Sequence, residues 1–265
     1  MRRACILFIA VMVAMSMLSC VALAEGTLTM GTNAEFPPFE FVEGDTVIGV
    51  DADIAAEIAK DMGVQLVIEN MAFDSIIPAL TSGQIDVGIA AMTVKPERQA
   101  SVDFSDTYYN ARQACIVLVG GSVVDADTLK GKTIGVQTGT TGDFEAENYS
   151  EDIQRFGKAL DAVLELAGGK LDAVIVDEPV AKNIVTALND PKLMLLDNIQ
   201  FGDEFYAVAV QKGHPEMLAQ INATITRITE DGTLEAILLK YFPTTQETVD
   251  NSTTITTAET TTGTP

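Results

Sequence analysis

Short apolar runs alternate with amphipathic stretches along most of the chain. Residues 28–32, 64–68, 87–90, 116–119, 133–136, 173–176, 193–196 and 206–210 are brief and apolar, as buried strands are. Between them the apolar spacing changes. Ile54, Ile58 and Met62 stand four apart and predict a helix over 53–62. Helices are also predicted over 75–82, 141–149 and 158–167, the last with Leu160, Val163, Leu164 and Ala167 on one side. Pro78 suits the first of these, 75–82, only near a first turn, whereas Pro179 suits the first position of a helix after strand 173–176. Two final helices carry Leu218, Ile221, Ile225, Ile228 and then Leu234, Ile237, Leu238. Strands alternating with helices in this way predict α/β layers with mostly parallel sheets.

Both ends break the pattern. Arg2 and Arg3, an apolar core over 6–18 and Ala22-Leu23-Ala24 read as a signal peptide over 1–24. Its apolar run is short for a membrane span. Two processing routes compete. One is cleavage after Ala24. The other is a loose lipoprotein box that would acylate Cys20, against which stand Met17 and the lack of a tether before the first strand. Cleavage is the preferred route. From Thr244 the chain is Thr-rich and nearly without large apolar residues, so 244–265 is expected to be a disordered tail.

Composition narrows the partners. The 265 residues carry a net charge of −22, a surface that repels nucleic acid and anionic lipid. The preferred reading is an acid-rich extracellular protein; the alternative, a field that favours cationic solutes, is not located in any cleft by net charge. Of 3 cysteines, two lie in the signal region, so Cys115 alone remains and no internal disulfide is possible. Its apolar neighbours place it in the core. No metal-ligand spacing is visible, His214 falls in a turn, and no cofactor is expected.

The chemistry concentrates after strand 87–90, in Ala91-Met92-Thr93-Val94-Lys95-Pro96-Glu97-Arg98, closed by Val102-Asp103-Phe104-Ser105. Thr93 offers donors, and the planar guanidinium of Arg98 can grip both oxygens of a carboxylate. The carbonyl of Ala91 can accept from an ammonium group. Ammonium and carboxylate on one carbon describe an amino acid.

This segment resembles the family 3 solute-binding proteins, the polar amino-acid-binding proteins of ABC importers. The resemblance continues through Gly31-Thr32-Asn33-Ala34-Glu35-Phe36-Pro37-Pro38-Phe39, Gly49-Val50-Asp51, Phe73-Asp74-Ser75-Ile76-Ile77-Pro78 and Gly135-Val136-Gln137-Thr138-Gly139-Thr140-Thr141. Leu171-Asp172-Ala173-Val174-Ile175-Val176-Asp177 and Glu230-Asp231-Gly232-Thr233 follow in the family order, covering about 27–243. It implies a type II periplasmic-binding-protein fold of two α/β lobes joined by a two-strand hinge. Lobe one would comprise 26–110 and 206–243, lobe two 111–205, with crossings near 108–112 and 203–207. The implied function is capture without catalysis. A monomer, periplasmic or secreted (or lipid-anchored through Cys20), binds a polar amino acid between its lobes and delivers it to an ABC permease.

The resemblance also assigns roles. Phe36 lies against the ligand side chain and Asn33 at its distal end. Arg98 and Thr93, with the Ala91 carbonyl, hold the α-carboxylate and ammonium, and Met92 between them is counted among the ligand-binding residues. Thr140 and Thr141, at a helix start, meet the same carboxylate from lobe two. Asp177 closes on the ammonium, its alternative being a helix cap. Val50 stands where the family commonly has an aromatic and would widen one wall. Gln137 stands where some glutamine binders have lysine. Two alternatives remain: a cyclohexadienyl dehydratase-like enzyme, with Glu35, Asp177 or Glu178 as its acid, and a sensor that presents its ligand to a receptor.

Overall fold

In the computed structural model, which describes residues 26–242, the apolar runs become strands of one continuous sheet. The signal segment 1–24 and the tail 244–265 lie outside the described residues. β1 (Thr27–Thr32) runs parallel to β5 (Gln65–Asn70) on one side and β6 (Val87–Gly88) on the other. β8 (Ile134–Gln137) is flanked in the same way by β9 (Ile153–Phe156) and β10 (Ala173–Asp177). Each parallel triplet is the centre of one lobe.

Two antiparallel strands join the lobes. β7 (Val102–Leu118) and β12 (Asp203–Gln211) give the order β5-β1-β6-β12-β7-β10-β8-β9, with β11 (Leu193–Leu196) also on β7. β7 is 17 residues long, not the short strand expected over 116–119. It pairs with β12 up to Arg112 and with β10 from Gln113 onward, so its partner changes at that step. A separate meander of β2 (Glu35–Phe36), β3 (Glu40–Glu43) and β4 (Thr46–Ile48) was not visible in the pattern. Strands this short have no periodicity to detect.

The helices are α1 (Val50–Met62), α2 (Phe73–Thr81), α3 (Pro96–Gln99), α4 (Thr141–Ala146), α5 (Ala159–Ala167), α6 (Glu178–Leu188), α7 (Pro215–Glu230) and α8 (Thr233–Tyr241). Among the described residues no helix is long and apolar enough to cross a membrane. α1 begins earlier than its apolar spacing suggested, with Asp51 and Asp53 favourably placed in its first turn. Gly49 permits that start: its φ is +131°, and a Cβ there would stand 2.1 Å from the carbonyl oxygen of Phe39. In α2, Pro78 sits in the second turn, not the first, and the helix persists to Thr81. α4 stops at Ala146, where Tyr149 and Ser150 turn back to bond its carbonyl.

α5 corrects the expected face. Ala159, Ala162, Val163 and Leu166 are buried, whereas Leu160 and Leu164 are exposed. Small residues at positions 159 and 162 bring the helix close to the sheet, turning the two leucines outward. Phe39 anchors lobe one as expected of a core residue, with the rings of Tyr109 and Tyr206 each edge-on at 5.0 Å. Cys115 is likewise core, and burial pushes its thiol up to about 12, so it stays unreactive at neutral pH.

Candidate ligand-binding cleft

A small cavity lies between the lobes. Phe36, Phe73, Ala91, Thr93 and Arg98 line it from one lobe, and Thr140, Thr141 and Asp177 from the other. The walls come from the carboxyl ends of parallel strands, where open α/β sheets bind ligands. Seven residues singled out from sequence meet here: Phe36, Ala91, Thr93, Arg98, Thr140, Thr141 and Asp177.

Four others do not line the cavity. Val50 is wholly buried in the core that includes Phe39 and Ile54, so it is packing and not a wall. The missing aromatic therefore changes the core beneath α1. Met92 is buried among Ile76, Leu80 and Val102, and its carbonyl accepts from the Ala207 N–H. Asn33 and Gln137 bind each other across the cleft, Gln137 Nε2 donating to Asn33 Oδ1 at 2.8 Å. The Lys158–Glu35 ion pair, at 2.7 Å, crosses it as well.

Arg98 is placed by α3, a single turn opened by Pro96. It is 7% exposed. Its Nη1 donates to the Thr93 carbonyl at 2.8 Å and its Nη2 to the Gly139 carbonyl at 3.2 Å, linking the lobes. The guanidinium stacks 5.2 Å from the Phe73 ring centroid. Gly139 has φ +74°, and a Cβ there would come within 3.2 Å of the Asp74 Cβ, so glycine permits the close approach of the lobes. Burial lowers the Arg98 pKa, while Asp177 and Glu204 oppose that shift; an arginine remains charged.

Ala91 adopts φ +46°, a left-handed conformation uncommon for a residue with a Cβ. Asp51 holds it there: Oδ2 accepts the Ala91 N–H at 2.6 Å and Oδ1 accepts the Tyr108 hydroxyl at 2.9 Å. In the Gly49-Val50-Asp51 motif the aspartate thus shapes the cavity from one step behind its wall. Burial pushes Asp51 up to about 6 and neighbouring Glu40 well above the carboxylate range. Asp51→Ala should strand the buried Ala91 N–H, costing about 1–3 kcal/mol of stability. Urea unfolding measures it, and an unchanged midpoint would deny Asp51 this role.

Asp177 precedes α6 in the cap position, yet its side chain caps no helix N–H. Instead its Oδ2 accepts the Tyr206 hydroxyl. Burial, reinforced by Glu204, pushes Asp177 up to about 6. Thr140 does cap α4: its Oγ1 accepts from the Asp143 N–H at 3.3 Å and donates to the Gln137 carbonyl at 2.8 Å. The Gly139 N–H is taken by Asp143 Oδ2 at 3.0 Å. The Gly139 N–H and the Thr140 hydroxyl, both expected to serve an anion site in this loop, are therefore engaged within the loop itself.

Phe73, Gln113, Glu204 and Tyr206 were missed in the sequence. Glu204 Oε2 accepts from Thr93 Oγ1 at 2.9 Å, Thr141 Oγ1 at 2.8 Å and Gln113 Nε2 at 3.1 Å. Phe73 was findable, because it starts the helix after β5 much as Phe36 follows β1. Two of the candidate acids are otherwise engaged. Glu35 pairs with Lys158, and Glu178 is held below the usual carboxylate range by Arg112 and Lys182. Among the described residues no cluster suited to a metal occurs.

Known proteins share this architecture. The arginine-binding extracellular protein ArtP of Bacillus subtilis is 30% identical over 255 residues, 91% of this chain and 98% of its own. The structure of an ancestral arginine-binding protein bound to arginine superposes with TM-score 0.78 at 40% identity, over 83% of this chain and 99% of that one. The arginine-, lysine-, histidine-binding protein ArtJ from Geobacillus stearothermophilus gives TM-score 0.77 at 34% identity, over 82% and 95% of the respective chains. A family model matches residues 28–244. The two lobes, their two-strand hinge and this match agree: the chain belongs to the bacterial extracellular solute-binding proteins, family 3.

Proposed function

We propose that this protein captures a cationic amino acid, arginine foremost, between its lobes and hands it to the permease of an ABC importer. The observation that carries the reading is the convergence of buried Arg98 and buried Asp177 on one small cavity. Arg98 grips the α-carboxylate with Thr93 and Thr141, while Asp177 and the Ala91 carbonyl take the ammonium. Charge favours a cationic side chain. One arginine faces two carboxylates, Asp177 and Glu204, so a ligand with net charge +1 balances a site that a zwitterion leaves negative. Phe36 supplies an apolar wall for the stem and a ring face for a planar cation. The arginine-binding relatives point the same way.

Closure involves no chemistry on the ligand. Residues 26–110 and 206–243 form lobe one and 111–205 lobe two, rotating about the step where β7 changes partners. The protein acts as a monomer, without nucleic acid, exported by cleavage after Ala24 or anchored through Cys20. Calorimetric titration of ligand-stripped protein should show saturable arginine binding at a Kd of about 1 μM, about −8 kcal/mol. Lysine and histidine should bind more weakly and glutamate undetectably. Equal affinity for glutamine and arginine would remove the charge argument, and turnover of prephenate or arogenate would restore the enzyme reading.

A further inference from the structure

We infer that Glu204 is an interlobe latch, a hinge carboxylate that holds the cleft closed by binding one threonine of each lobe. The inference rests on the closure described above and concerns a residue outside the capture set. Glu204 lies on crossing strand β12, opposite Ala111 of β7. It is 7% exposed. A single oxygen, Oε2, accepts from Thr93 of lobe one at 2.9 Å and Thr141 of lobe two at 2.8 Å. Gln113, where β7 changes partners, donates to the same oxygen at 3.1 Å and also to Thr141 Oγ1 at 3.0 Å. Lobe one, lobe two and both hinge strands are thus gathered at one atom.

The geometry has an energetic direction. Moving the lobes apart cannot keep Oε2 within hydrogen-bond distance of both hydroxyls, because they belong to opposite walls. The charged acceptor makes each bond stronger than a neutral one. In a closed, desolvated cleft the bonds favour closure, whereas in the open form water replaces them. The latch also turns both hydroxyl protons toward Glu204. Thr93 and Thr141 then meet a ligand carboxylate chiefly through their backbone N–H groups, with Arg98 supplying the charge.

The test reads the ligand-free protein, since Glu204 also contributes charge to the cavity and affinity alone would mix two effects. Spin labels are placed through Val67→Cys on exposed β5 and Leu164→Cys on exposed α5; buried Cys115 stays unlabelled. Glu204→Gln should lower the closed-to-open ratio about tenfold or more, the loss expected for bonds to a charged group. The arginine Kd should rise by a similar factor or more. Thr141→Val should open the ligand-free protein similarly, and the double variant no further, while Thr141→Ser, which keeps the hydroxyl, should keep the ligand-free distances of the wild type. If Glu204→Gln fails to fold, the Thr141 pair gives the same reading. Unchanged ligand-free distances in Glu204→Gln and Thr141→Val, or additive effects of the two, would overturn the latch. Wild-type distances insensitive to arginine, despite measured binding, would overturn the latch and the closure reading together while leaving capture intact.

Discussion

Arg98→Ala should weaken amino-acid binding by two orders of magnitude or more, about 3 kcal/mol. The effect is large because the arginine does two things at once. It neutralises the ligand carboxylate in a place where burial removes the competing water, and its planar fork matches both carboxylate oxygens. Its removal also deprives the carbonyls of Thr93, on the same lobe, and Gly139, across the cleft, of a donor. Arg98→Lys keeps the charge without the fork, so it should recover only part of the loss. Circular dichroism must first show that each variant is folded, since Arg98 also rests on Phe73. Titration calorimetry then gives the answer. A folded Arg98→Ala protein with wild-type affinity would place the carboxylate elsewhere and remove the basis of the site.

What could be read beforehand followed from periodicity and from position at strand ends. The parallel strands were legible because each is a short, fully buried run, as in Ala173–Asp177. β7 was not. Where it crosses between the lobes, exposed Asn110 and Arg112 interrupt the apolar signal that resumes at Ala114. α5 misled because its leucines are larger than the alanines that actually face the sheet. The site divides along the same line. Thr93 follows β6, Arg98 sits in α3 beyond it and Asp177 ends β10, positions from which polar side chains reach the cavity. Glu204 lies inside a strand beside Asp203 and reads as a solvated edge; only the packing of both lobes around it reveals a buried acceptor. Val50 misled in the opposite sense, since its place in a motif said nothing of the direction of its side chain at the start of α1.

Acid should weaken binding through Asp177. Its carboxyl is pushed up to about 6, first by burial and then by Glu204, with the Tyr206 hydroxyl opposing the shift. An ammonium partner requires the ionised form. At pH 7 and above the carboxylate is already present and affinity is full. Below about 6 the free protein carries a proton that must leave on binding, and affinity should fall roughly tenfold for each further pH unit. The folded, ligand-free protein should respond in the other direction. Asp177 and Asp51 both rise from 3.8 to about 6 on folding. Between those values the native state binds more protons than the unfolded state, so stability increases as pH falls through that window. Melting temperature without ligand should therefore rise from pH 7 to pH 5, while the increment added by arginine shrinks. Asp177→Asn should bind weakly at every pH and lose most of this dependence. Calorimetry at pH 5 and pH 7 in two buffers of different ionisation enthalpy counts the released proton directly. An affinity flat across that range, with no proton released, would mean that Asp177 does not carry the ammonium.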